Sequence, residues 1–294
     1  MSRIVWLASY PKSGNTWFRL LVANLSATEA PTDINDMGER GGIASARTPF
    51  EFHTLLDSGL LTHDEADALR PRVYELMGPE DDGQDLRLVK AHDAYLPTPQ
   101  GEPLLGGRAA ADAAIVIVRD PRDIAPSLAN HRGTSIDAAV DFMADKTACF
   151  AAATRAQPLQ LRQRLLDWSG HVATWLEQPD LPTHIVRYED LQADPVATFT
   201  AAMAFAGRDP ARADVERAIE FARFERLQAQ ERERGFSEWR ARGPSALFFR
   251  RGESQAWRGE LTGDQVRRIE SAHGPMMLRL GYLTTAEADA RRAI

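Results

Sequence analysis

Residues 4–25, IVWLASYPKSGNTWFRLLVANL, constrain the fold more than any other stretch of the chain. They open on an apolar, β-branched run, Ile4-Val5-Trp6-Leu7-Ala8, the pattern of a strand buried on both faces. A short loop follows, from Ser9 to Asn15, and apolar residues then recur at helical spacing at Trp17, Leu20, Leu21 and Leu25. Ser13 or Asn15 is placed to cap that helix. The unit reads strand, tight loop, helix, with a lysine in the loop. N–H groups at a helix start have no intrahelical partner, and the helix dipole is positive there. Gly14 lets a ligand approach the backbone closely, and Lys12 adds a full positive charge. Together they call for an anion, of which a phosphate is the natural choice.

The loop departs from the common nucleotide-binding pattern G-x-x-x-x-G-K-[ST]. Its lysine precedes the glycine, and no glycine opens the loop. Tyr10-Pro11-Lys12-Ser13-Gly14-Asn15-Thr16-Trp17 instead resembles the 5′-phosphosulfate loop of the sulfotransferases that use 3′-phosphoadenosine 5′-phosphosulfate (PAPS), which usually reads Y-P-K-[SA]-G-[TN]-[TN]-W. An isolated Lys-Ser-Gly is more often a solvated turn; the whole string after a first strand is far more specific.

Composition narrows the setting. A chain of 294 residues allows one large or two ordinary domains, and 44% hydrophobic with 26% charged residues is the balance of a soluble globular protein. A net charge of −7 gives no general reason to expect nucleic acid or an anionic membrane as partner. Positive charge for a polyanionic ligand must therefore be concentrated locally. The single cysteine, Cys149, excludes an intrachain disulfide and fits a reducing compartment. The first residues lack the basic segment and apolar core of a signal peptide, and no run reaches about 18 apolar residues. A cytoplasmic location is expected, and no repeat or low-complexity linker divides the chain.

Residues 27–85 are irregular at first and then helical. Thr48-Pro49-Phe50-Glu51 has a cap residue, a proline at the first helical position and a capping-box glutamate, giving a helix to about Ser58; Thr62 to Glu65 starts another in the same way. Residues 85–92, DLRLVKAH, form a second strand candidate ending in Lys90-Ala91-His92, and alternation puts Lys90 and His92 on one side. Residues 114–118 form a third strand ending in Arg119-Asp120-Pro121-Arg122-Asp123, followed by a helix carrying Ser127. A strand-end arginine and a serine two turns into the next helix can grip one anion; a salt-bridged turn accounts better for Arg122 and Asp123. A long helical stretch is expected from Ser135 through Cys149, and a helix over 165–176 with Trp168, His171, Val172 and Trp175 on its inner face. A fourth strand spans 183–187 and is closed by Tyr188-Glu189-Asp190, with Asp190 placed to cap a helix over 195–205. A further helix covers about 212–227, residues 228–249 read as a mobile loop, and Thr262 caps a last helix ending near Gly281.

Later segments extend the resemblance to the sulfotransferases from Ile4 to about Tyr282. Lys90-Ala91-His92 is similar to K-[TS]-H-x-x-L-P, with one extra residue before Leu96-Pro97; Val118 to Ser127 is similar to V-x-R-[ND]-P-[RK]-D-x-x-x-S; Phe248 to Arg258 is similar to R-K-G-x-x-G-x-W-K. The resemblance implies a single α/β domain over 1–294, three-layered, with a central parallel sheet and a P-loop-like strand–loop–helix. It implies transfer of a sulfuryl group from PAPS to the hydroxyl of a small-molecule acceptor, leaving 3′-phosphoadenosine 5′-phosphate (PAP), with no metal. By resemblance His92 is the base, with Lys12 and Lys90 catalytic; the backbone donors of Ser13, Gly14, Asn15 and Thr16, with the Thr16 hydroxyl, hold the 5′-phosphate beside Lys12. Arg119, Ser127, Arg250, Arg251 and Gly252 hold the 3′-phosphate, and Tyr188, Phe224 and Trp17 lie against adenine. Gln255 stands at the family's second glycine, which puts the backbone approach there in question. Residues 27–85 and 228–249 are expected on the acceptor side. The family's dimer segment is only partly present, at Arg258 to Thr262, so a homodimer stays open. Two other classes stay open on the residues alone. A related kinase would need an acidic metal ligand at a strand end, and a binding protein would have no use for both Lys12 and His92.

Overall fold

A computed structural model describes residues 4–37, 42–77, 86–153, 160–239 and 247–286. Four strands, β1 (Ile4–Ser9), β2 (Arg87–Ala91), β3 (Ala111–Val118) and the later Thr183–Arg187, form a parallel sheet in which β1 and β3 are central and β2 and Thr183–Arg187 are the edges. Alternation along the strands splits the core into two layers. Ile4, Trp6 and Ala8 of β1, with Ala114, Val116 and Val118 of β3, face one cluster; Val5, Leu7, Ala113, Ile115 and Ile117 face the other. A sheet buried on both sides needs such continuous apolar strands.

The helices cover these faces. On the Val5–Leu7 side lie α1 (Asn15–Asn24) and the later helices Pro195–Phe205 and Arg212–Phe221. Against the Trp6 side lie α2 (Arg47–Thr54), α3 (His63–Met77), the short α4 (Gly107–Ala110), α5 (Pro121–Arg132) and α6 (Ile136–Ala144). Trp168–Glu177 and Gly263–Arg279 complete that layer. Because all four strands run the same way, their carboxyl ends open on one edge, where α/β sheets place their ligands. Ser9, Ala91, Val118 and Arg187 end there, so the next residues, including His92, Arg119 and Tyr188, start at that edge.

The structure corrects several expected boundaries. Gly14 is the residue before α1, in the left-handed region at φ 107°, and no side chain caps the helix. Thr48 lies inside α2 and caps nothing, because Glu51 is engaged by Arg47 and Ser58. The stretch from Ser135 does not stay helical: α6 stops at Ala144, and the chain turns into a small antiparallel pair, β4 (Cys149–Phe150) with β5 (Gln163–Arg164). Asp190 lies within a short helix, Tyr188–Ala193, and Asp194 caps Pro195–Phe205. The single helix expected over 212–227 is two, broken at Ala222-Arg223, and the second, Phe224–Arg234, replaces the first part of the expected 228–249 loop. Residues 240–246 of that loop lie outside the described residues, as do 78–85 and Asp85. The Thr262 cap is present as a full capping box with Gln265.

One buried ion network fastens α3 to the sheet edge. Arg70 of α3 is fully buried and grips Asp93, the residue after His92, at 2.7 Å and 3.1 Å. Its other donors reach Tyr74 Oη at 2.8 Å and the Arg162 carbonyl at 3.0 Å. Tyr74 in turn donates to the Ala44 carbonyl, and residues 42–44 pair with Lys90 beside β2. Removing one partner leaves the other charge buried and uncompensated. Arg70→Ala is therefore expected to lower the unfolding free energy by about 3–5 kcal/mol, read as a fall in the denaturant midpoint.

Candidate active site

The loop between β1 and α1 is held in an unusual shape. Lys12 has φ 72° and Gly14 φ 107°. A side chain at Gly14 would put its Cβ 2.6 Å from Cδ2 of Tyr188, so only glycine fits. Asn15 turns its amide back onto β1, donating to the Leu7 carbonyl at 3.0 Å and to Ser9 Oγ at 3.2 Å. With its side chain so used and no other cap in place, the first-turn N–H groups of α1 stay available to a ligand. Ser13 is the exception among the loop residues predicted to bind. Its N–H is directed to the Tyr10 carbonyl at 3.3 Å, and its side chain is fully buried and does not line the cavity.

Every other predicted site residue lines one cavity of about 1230 Å³ at the carboxyl edge of the sheet. Lys12 places Nζ 3.6 Å from the centroid of the Phe248 ring. Burial pushes its ammonium down to about 7, with Lys90, Arg119 and Arg250 adding repulsion that Glu231 partly offsets. His92 directs Nδ1 at the Ser9 carbonyl, 2.8 Å away. A carbonyl only accepts, so Nδ1 carries the proton and Nε2 keeps its lone pair. Burial, and after it the Lys90 charge, holds the imidazole pKa well below its usual value, and the ring is neutral at pH 7. Lys90 is lowered by burial against the pull of Glu238, which it meets at 3.3 Å. Glu238 also takes Arg19 at 2.8 Å; burial pushes its carboxyl up, but Lys90 and Arg19 together hold it below the usual range.

A second cationic group sits farther along the cavity. Arg119, at the end of β3, lies 4.3 Å over the Tyr188 ring and donates to the Glu253 carbonyl at 2.9 Å. Ser127 of α5 lines the same region. The segment from Arg250 is held largely through its backbone. Asp123 accepts from the N–H groups of Gln255 at 2.7 Å and Trp257 at 2.9 Å, and Gln192 bonds the Gly252 carbonyl at 2.6 Å and Ser254 N–H at 3.0 Å. A Cβ on Gly252 would fall 2.2 Å from Cδ2 of Phe224, so a glycine is needed for that packing. Gln255 adopts φ 62°, the left-handed conformation that a glycine takes at no steric cost. Arg250 and Arg251 both meet Glu260, at 2.6 Å and 3.2 Å. Arg122 is bound to Asp120, as the spacing predicts, and to the distant Glu270; Asp123, expected in the same salt-bridged turn, instead takes the two backbone N–H groups of Gln255 and Trp257. Trp17 donates to the Ala222 carbonyl and meets Tyr188 edge-on, and Phe224 faces the cavity beside them.

The wall beside Lys12 is aromatic. Trp239 stacks on His131 with centroids 5.4 Å apart, and Phe150 and Phe248 flank that pair. Glu238, Trp239 and Glu260 carry no motif, and sequence reasoning did not single them out; the 228–249 region is the only pointer to the first two. His171 packs edge-on to Tyr10 with Nδ1 directed at the Leu165 carbonyl, a core role as predicted. Among the described residues no group of three or more His, Cys, Asp or Glu is placed to hold a metal ion, and no helix is long and apolar enough to cross a membrane.

Comparison with known proteins follows the same outline. No curated protein sequence matches the chain significantly. Solved structures do match in fold. A mouse sulfotransferase, SULT7A1, complexed with PAP superposes with a TM-score of 0.59 at 17% identity, covering 99% of this chain and 87% of that one. A retinol dehydratase in complex with androsterone and the inactive cofactor PAP gives 0.58 at 18%, covering 93% and 80%. Retinol dehydratase with retinol and PAP gives 0.57 at 18%, covering 94% and 82%. A sequence profile of the sulfotransferase domain matches residues 2–281, from the first strand through the last helix. With that match spanning nearly its whole length, the chain belongs to the sulfotransferase domain family.

Proposed function

We propose that this protein transfers the sulfuryl group of PAPS to a hydroxyl of a small-molecule acceptor, with His92 as general base. The observation that carries this is the pairing, in one cavity, of a neutral histidine whose Nε2 lone pair is free with a lysine crowded by other cations. The crowding also fits the donor: Lys90, Arg119 and Arg250 all bear on Lys12, and PAPS brings phosphates and a sulfate that would offset that repulsion. Lys12 and the first-turn N–H groups of Asn15, Thr16 and Trp17 would hold the 5′ end, where Gly14 admits a close approach. Arg119, Ser127, Arg250, Arg251 and Gly252 would hold the 3′-phosphate, and Tyr188, Phe224 and Trp17 the adenine. Bound PAPS supplies an activated sulfuryl group.

His92 accepts the acceptor's proton at Nε2 as the new oxygen–sulfur bond forms. Lys12 meets the negative charge that grows on the oxygen leaving sulfur, which is worth most in a site shielded from water. Lys90 adds positive charge at the sulfuryl oxygens. The aromatic wall of Phe150, Trp239 and Phe248 favours a compact apolar acceptor, a phenol, alcohol or natural-product scaffold. Androsterone and retinol in the neighbouring structures are small molecules of that kind.

Two measurements test this. His92→Ala should cut kcat by about 10²–10⁴-fold while PAP affinity by calorimetry stays at the wild-type value; retained turnover would remove His92 from the chemistry. The second uses the Lys12 ammonium, which is pushed down to about 7 without ligand. An anion beside it favours the charged form and raises its pKa, so above pH 7 PAP binding takes up a proton and affinity falls as pH rises. Calorimetry at pH 8 in two buffers of different ionisation enthalpy should report that uptake in wild type and its loss in Lys12→Met.

A further inference from the structure

Glu260 stands where a counter-ion to the cofactor site would be placed. Its carboxylate takes both guanidinium groups of the closing segment: Arg250 in a two-pronged pair at 2.6 Å and 3.0 Å, and Arg251 at 3.2 Å. The Glu260 side chain is 12% exposed, and the residue lines the same cavity as Arg119, Ser127 and Gly252. It is fixed there locally, because its N–H donates to the Trp257 carbonyl at the end of the turn that Asp123 anchors. The two-pronged pair is the arrangement by which arginine also binds a phosphate. Both arginines that would meet a 3′-phosphate are thus already satisfied by a carboxylate of the same chain.

We propose that Glu260 is an internal stand-in for the 3′-phosphate and sets how tightly the bisphosphate is held. This rests on the proposed cofactor. Without ligand, Glu260 neutralises Arg250 and Arg251 and keeps them aimed into the cavity. With PAP bound, the 3′-phosphate shares or displaces those contacts and faces the Glu260 charge at close range. The carboxylate therefore lowers the affinity for anything carrying a 3′-phosphate and speeds its departure, while a nucleotide without that group is untouched. The other charged groups of this region are Arg119 from β3, Asp123 from α5 and Glu253 from the closing segment itself. Asp123 is already taken up by two backbone N–H groups, and Arg119 by the Glu253 carbonyl oxygen, so Glu260 is the carboxylate that bears directly on Arg250 and Arg251.

The experiment is calorimetric titration of wild type, Glu260→Gln and Glu260→Ser with PAP and with AMP, which lacks the 3′-phosphate. Wild-type preference for PAP over AMP checks the cofactor itself, and its absence would overturn that reading and this inference with it. Given the preference, both variants should bind PAP at least about ten-fold more tightly, with AMP affinity unchanged. Stopped-flow displacement should show PAP leaving more slowly. A merely structural Glu260 would move affinity the other way, because loosened arginines bind phosphate less well. Weaker or unchanged PAP binding in the folded variants, or equal tightening of AMP, would overturn the proposal; should one variant fail to fold, the other gives the same decision.

Discussion

Positive charge crowded onto one edge of a parallel sheet is the constraint that the rest of this structure accommodates. The chain is acidic overall, at −7, yet the ends of β1, β2 and β3 bring Lys12, Lys90 and Arg119 into one cavity, and a later segment adds Arg250. Burial makes their repulsion costly, and the depressed Lys12 shows it. The fold answers with carboxylates from distant helices and loops. Glu238 neutralises Lys90, and Glu260 neutralises Arg250 and Arg251. Glu231 is buried beneath, where it accepts from the N–H groups of Phe248 and Phe249 and so fixes the ring that lies under Lys12.

What was legible in the sequence is what is local. The apolar runs Ile4 to Ala8 of β1 and Ala114 to Val118 of β3 locate strands because their burial leaves no room for polar residues, and Pro195–Phe205 begins at the proline that the sequence offers. That candidate residues at or after a strand end, Lys12, Gly14 to Trp17, Lys90, His92, Arg119 and Ser127, share one cavity is legible for a related reason: strand, turn and helix fix their relative positions, while Ser13 falls on the inner side of the loop. Capping misleads where a tertiary partner competes. Asn15 is a good cap by type, but β1 offers its amide two acceptors; Glu51 is a good capping-box residue, but Arg47 and Ser58 take its carboxylate. The end of α6 is not legible because the turn into β4 and β5 depends on pairing outside the helix, that of Cys149 with Arg164 after an intervening loop.

The carboxylates that pair with Lys90, Arg250 and Arg251 were not legible. Glu238 pairs with Lys90 across 148 positions, and nothing in its neighbourhood marks it as different from the other acidic residues of that segment. Glu260 lies close in sequence to its arginines, but the turn that brings them together depends on Asp123, more than a hundred positions away. Reading such pairs requires knowing the topology first, since a carboxylate acquires its role from the cation that the fold places beside it.

The anchoring of His92 has a consequence for how such a site can change over time. The imidazole is oriented chiefly by a main-chain carbonyl, that of Ser9 at 2.8 Å, with the Ser9 hydroxyl a longer contact at 3.4 Å. Replacing Ser9 with another residue would leave that acceptor in position so long as β1 keeps its path, and β1 is secured by its pairing with β2 and β3. The ring is therefore tied chiefly to the architecture of the sheet. Other residues lining the cavity can drift while the His92 imidazole keeps its tautomer and its place.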